Sequence, residues 1–165
     1  LTSLPAGAGV IPSANLPSSV QSLFVAAQSN AGAWAETAGT IVGVATSASA
    51  ATEIYCHVFI PTSATISSIK MVSSVGTGNA GAAIWDFEFT SHGAGVAIES
   101  DSTATVSLAV WTTNDRSEHA DIPSTAFDGL TKGRPWTIKA TRQGGDVNDT
   151  HPSIINVQGF LFNLS

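Results

Sequence analysis

Four histidines, twelve acidic side chains and one cysteine are the groups in this chain best able to do chemistry, and their spacing decides which chemistry is open to them. His57, His92, His119 and His151 stand at separations that match neither helical nor short-loop metal-ligand spacings. The one local concentration is Asp115-Arg116-Ser117-Glu118-His119-Ala120-Asp121. Asp115, Glu118 and His119 would form a hydrolytic site if a loop turned them toward one point; a solvated loop with local Asp and Ser caps is the competing reading. A second acidic stretch, Asp146-Val147-Asn148-Asp149-Thr150, offers Asp146, Asn148 and Asp149 as oxygen ligands for calcium. Against that stands the ordinary role of Asp and Asn in closing a turn. No Gly-x-Ser-x-Gly elbow, phosphate-cradling glycine loop or His-Glu-x-x-His occurs, so no catalytic residue is assigned and no cofactor is expected.

Tryptophan suggests a different chemistry, since an exposed indole can stack on a sugar. Trp34 and Trp111, with Arg116 and His119 from the stretch 113–134, are the candidate glycan or receptor contacts. Trp34, Trp85, Trp111 and Trp136 each also sit on a strand pattern, where burial in the core is the default.

The elements that must position these residues are strands. Trp136, Ile138 and Ala140 alternate with Thr137, Lys139 and Thr141, the period of a half-buried strand. A polar turn, Gln143 to Pro152, leads to a closing strand, Ser153 to Leu164, that is apolar in both registers toward its end. Strand, turn and closing strand are read as one unit. Earlier strands are predicted at 33–36, 40–46, 53–60, 65–75, 83–90, 96–98 and 105–112, with Ala83, Trp85, Phe87 and Phe89 lining one face of the clearest. The Ser67-Ser68 doublet shifts the apolar register as a bulge would. Asn114 to Gly133 is read as irregular. Strands at fairly even spacing without a helical period define an all-β chain. Long connections at 91–104 and 113–134 favour a jelly-roll-like β-sandwich of about eight antiparallel strands over 31–165.

Residues 1–30 differ from the rest. Pro5, Pro12 and Pro17 forbid both a helix and an interior strand, so this arm is extended. Leu4, Val10, Ile11, Leu16, Leu23 and Phe24 are too many apolar side chains for a solvated linker, and are expected to be buried against another chain. The single helical signal is a short turn over 18–27. Charged residues are 11% of the chain, a composition that suits a secreted or particle-bound protein. The net charge of −6, with no basic run, argues against a nucleic-acid partner. No apolar stretch reaches membrane-spanning length, so no insertion is expected. Cys56 stands alone and reads as a buried thiol.

The leader Leu-Pro-Ala-Gly-Ala-Gly-Val-Ile-Pro-Ser-Ala-Asn-Leu-Pro (residues 4–17) resembles segments that precede globular domains in bacteriophage fibre and virion-surface proteins. The closing stretch Trp-Thr-Ile-Lys-Ala-Thr-Arg-Gln-Gly-Gly-Asp-Val-Asn-Asp-Thr, followed by Ile-Ile-Asn-Val-Gln-Gly-Phe-Leu-Phe, is similar to the C-terminal strand pair of β-sandwich domains in such proteins. The resemblance implies a component of the virion surface, a homotrimer whose arms wind together and whose sandwiches cluster about a threefold axis. Other virion proteins would be met through the arm, on either a capsid or a tail. The expectation is a non-enzymatic fibre or decoration protein. The alternatives are a module that binds a host surface glycan and a secreted hydrolase domain.

Overall fold

The structure is a computed structural model and describes residues 22–29, 35–37, 40–100, 104–114 and 117–164. Period-two alternation builds its longest strands. In β6 (Ala83–Ser91) the residues Ala83, Trp85, Phe87, Phe89 and Ser91 all face inward and are fully buried, while the residues between them lie partly in water. The same alternation turns Ile54, Cys56, Val58 and Ile60 of β4 (Ala51–Ile60) and Trp136, Ile138 and Ala140 of β10 (Arg134–Gln143) into the core. Burying one such side chain is worth about 1.5–3 kcal/mol, which is why these patterns fix the inner faces.

The remaining strands are β1 (Ser22–Ala26), β2 (Ala35–Thr37), β3 (Thr40–Thr46), β5 (Ile66–Val75), β7 (Glu99–Ser100), β8 (Ala104–Leu108), β9 (Ser117–Ile122) and β11 (Ile155–Leu164). One sheet runs β4–β10–β6, and the far edge of β6 is shared by β8 along Ala83–Phe87 and β7 along Thr90–Ser91. The other runs β9–β5–β11, and the far edge of β11 is shared by β3 at Ile155–Val157 and β1 at Gly159–Asn163, with β2 outside β3. Setting the short β1, β2 and β7 aside, the first strand pairs with the last (β3 with β11), and β4 pairs with β10, β5 with β9 and β6 with β8. Every pairing is antiparallel. This nesting is a long hairpin rolled up on itself, a jelly roll, the fold expected from the sequence.

Two bulges tune the second sheet. Asn163 pairs with Ser68 and Leu164 with Ile66, so Ser67 is the extra residue, at the expected doublet. A further bulge at Gln158 falls between the pairs Val157–Ser73 and Gly159–Val72 and had no sequence signal.

Several expectations are corrected. The stretch 114–133 is not irregular throughout: it contains β9, whose Ala120 and Ile122 reach the core, and a 3-10 turn at Ser124–Ala126. The strand expected at 96–98 is displaced to β7, and Val96 and Ile98 are exposed. Residues 22–26 form β1 where a helical turn was expected. The closing unit is not a hairpin, because β10 and β11 belong to opposite sheets and the link between them crosses the sandwich. The arm of 1–30 ends sooner than expected: β1 belongs to a sheet, and Ala27 is fully buried in the core. Gln28 then exchanges both backbone hydrogen bonds with Tyr55 of β4, at 2.7 and 2.8 Å, joining the edges of the two sheets.

Candidate functional site

Trp111 is fully buried, its indole Nε1 donating to Ser73 Oγ at 2.9 Å, and Trp85 and Trp136 are buried with it. A sugar-stacking platform of these three is therefore ruled out. The predicted strand 105–112 stops at Leu108, and beyond that end the chain turns Trp111 inward. Trp34, Asp115 and Arg116 lie outside the described residues, as do Leu4, Val10, Ile11 and Leu16. His119 is exposed on β9, but Glu118 precedes it on the strand and so faces the opposite side; the two do not converge on a hydrolytic centre.

The proposed calcium ligands are otherwise engaged. Asp146 Oδ1 accepts from the backbone N–H of Asn148 at 2.7 Å and from its side-chain amide at 3.0 Å, an Asx turn. Asp149 is the buried counter-ion of Arg142, whose Nε and Nη2 each donate to it at 2.9 Å. Arg142 also donates to Ser153 O at 2.8 Å and to His151 O at 2.6 Å. His151 packs edge-on against Trp111, with ring centroids 5.9 Å apart. This cluster clamps the crossing link 144–154 onto the end of the sandwich. Arg142 was missed as a key residue, although period two places it in the inward register of Trp136, Ile138 and Ala140. No group of three His, Cys, Asp or Glu side chains among the described residues could hold a metal ion.

The outward registers of β4, β10 and β6 bring together most of the remaining polar chemistry. Lys139 Nζ lies 3.1 Å from Glu53 Oε1 and 3.9 Å from Glu88 Oε2, and Tyr55 Oη donates to Glu53 Oε2 at 2.8 Å. The Tyr55 hydrogen bond first, and Lys139 second, hold the Glu53 carboxyl below its usual range. The same contact with Glu53 raises both Tyr55 and Lys139. One row along, Thr137 Oγ1 lies 2.9 Å from both His57 Nδ1 and His92 Nε2, and His92 Nε2 is 3.1 Å from Thr90 Oγ1. Thr137 has one proton to give, so when both rings are neutral one imidazole accepts from it and the other donates to it. The next row ends in Phe59, 58% exposed, beside Pro135.

A cavity of about 170 Å³ opens where β5 and β10 begin, lined by Ile66, Phe127 and Trp136 with Ser124, Asp128 and Lys132. The Lys132 ammonium is held by Ala64 O at 2.7 Å. Sites for drug-sized ligands are about 300–1,000 Å³, so this one admits only a small group.

Fold and surface together define a jelly-roll β-sandwich with an ordered polar face on one sheet and an apolar N-terminal edge strand on the other. Compared with models of known families and with curated proteins, the chain matches none.

Proposed function

We propose that this chain is a non-enzymatic structural protein of a bacteriophage particle, a homotrimeric fibre or decoration protein. Its N-terminal segment holds sister subunits and neighbouring virion proteins together, and its jelly roll is displayed on the virion surface. The observation that favours this reading is how the leader enters the domain. It arrives at Ser22 as an edge strand, with Leu23 and Phe24 left 38% and 50% exposed. A leader spaced by Pro5, Pro12 and Pro17 cannot continue into a sheet interior, so Leu4, Val10, Ile11 and Leu16 are best covered by other chains. At ~25 cal/mol per Å² of apolar surface, several such side chains drive association strongly before ordering costs are subtracted.

The test is a truncation that removes residues 1–21 and spares β1. Sedimentation should show the particle mass falling threefold beyond the residues lost, with the far-UV signal of the sandwich unchanged. An assembly that keeps its subunit number would refute the reading. A role in host attachment, through a surface glycan, is favoured by the exposed Phe59 beside His57 and Tyr55. It predicts glycan binding that Phe59→Ser removes without changing the subunit number.

A further inference from the structure

Sheet edges carry unpaired backbone groups, and folded proteins usually guard them with charge, proline, bulges or a covering segment. Among the described residues, most edges of this sandwich are guarded. β9 carries Glu118, His119 and Asp121. β4 carries Glu53 and is met by Gln28. β8 presents the exposed hydroxylated residues Thr105 and Ser107, and β2 and β7 are only three and two residues long. β1 reads Ser22-Leu23-Phe24-Val25-Ala26, with no charge, no proline and no register shift, and among the described residues it pairs with β11 alone. Two of its five residues are large and exposed.

The direction of its free hydrogen bonds is fixed. Ala27 N–H donates to Gln158 O at 2.9 Å, on the β11 side. Backbone groups alternate between the two edges of a strand, so those of Leu23 and Val25 also face β11, while those of Ser22, Phe24 and Ala26 face outward. We infer that β1 pairs antiparallel with β1 of a second copy of this chain, across a twofold axis at Phe24, making one continuous sheet of the two sandwiches. In that register Phe24 faces Phe24 of the other copy, Leu23 faces Val25, and Ser22 faces Ala26. The outward backbone groups meet one another, the apolar side chains are cross-strand neighbours, and no like charges oppose. A contact of this kind is self-complementary and closed. The chain's own leader is a poorer occupant, since its prolines lack the donors that an added strand must supply.

This contact is independent of the threefold assembly proposed above and adds to it. In the full-length protein, Phe24→Glu should halve the sedimenting mass, because it sets two carboxylates against each other at the axis. Sedimentation unchanged from the parent would overturn the inference. The threefold reading stands or falls separately on removal of residues 1–21. Phe24→Cys gives a second readout that does not depend on losing the contact. Hydrogen-bonded antiparallel partners have Cα atoms about 5.5 Å apart, inside the range a disulfide spans. Mild oxidation should convert the variant to a covalent dimer on a non-reducing gel, while Ser107→Cys, exposed on β8, should stay monomeric there. Cys56 is fully buried and does not compete. If the thiol introduced at position 24 stays uncrosslinked like the control, whether the leader or another protein covers that edge, the inference fails.

Discussion

Asp149→Ala is the most demanding test of how the sandwich is closed. Both members of the Arg142–Asp149 pair have fully buried side chains, and Asp149 takes two of the four hydrogen bonds that Arg142 donates. Removing the carboxylate leaves a guanidinium buried with only the carbonyls of His151 and Ser153. Stranding one partner of a buried pair costs about 3–5 kcal/mol. With unfolding entropy near 2.1 cal/mol/K per residue, 165 residues lose roughly 3 °C per kcal/mol, so melting should fall by about 9–14 °C. Circular dichroism melts, with urea midpoints as a second measure, read this directly. A fall of less than about 3 °C would mean that Arg142 is not held as a buried ion, and the reasoning would fail. The double variant Arg142→Leu/Asp149→Leu separates the causes. It should recover part of the loss, since no charge is left stranded. Recovery should stay incomplete, because His151 O and Ser153 O lose their donor.

Three further outcomes follow from the same structure. Glu53 is lowered, so its contribution to stability holds above the ordinary carboxylate range and is lost as pH falls through its folded value; Tyr55 and Lys139 are raised, so theirs hold below about pH 10 and are lost at higher pH. Lys139→Met should therefore cost about 0.2–1 kcal/mol near neutrality, as exposed pairs do, and nothing in acid or strong alkali; urea midpoints that differ equally at every pH would contradict this. Trp111→Phe removes the donor from buried Ser73, whereas Trp85 Nε1 has no partner among the described residues. Trp111→Phe should therefore cost about 1 kcal/mol more than Trp85→Phe in denaturant titrations, and equal costs would count against it. A methyl group at Gly159 would meet Val25 O and the Phe24 ring, so Gly159→Ala should lift β1 from β11. Hydrogen exchange should then quicken over 22–26 while β5 stays protected, and persistent protection of β1 would refute the steric argument.

Large side chains in strict alternation made β4, β6 and β10 legible in the sequence; the jelly roll was expected from long connections at 91–104 and 113–134, each of which in fact holds a strand, β7 and β9. β9 was hidden because Glu118, His119 and Asp121 dominate six residues of which only Ala120 and Ile122 face the core. The crossing of the link 144–154 was also hidden, since Gly, Asp and Asn close a turn in the same way whether it joins neighbours in one sheet or passes between sheets. Arg142 held the overlooked clue: an arginine in an inward register needs a buried counter-ion, and Asp149 was the carboxylate close enough to serve. Trp111 misled for a different reason, because alternation assigns a face only while the strand continues. The residues expected to drive assembly were read from composition and not from geometry. Of the six, Leu23 and Phe24 have a described place, at a sheet edge.

Several of the charges among the described residues gather on one face of the sandwich, and their placement bears on which surface would face water in a particle. Glu53, Asp86, Glu88 and Lys139 share the outer face of β4–β10–β6, in registers that set Lys139 opposite Glu88 and beside Glu53. The core of a protein interface is depleted in charge, because each buried ion must be stripped of water. β1 meets that condition and the outer face of β4–β10–β6 does not. On the particle reading, subunits therefore meet through the leader and the β1 edge, leaving the Tyr55–Glu53–Lys139 and His57–Thr137–His92 networks outward. Binding to a host would then have to be read by hydroxyls, imidazoles and Phe59 on that sheet, since Trp85, Trp111 and Trp136 are spent on the core.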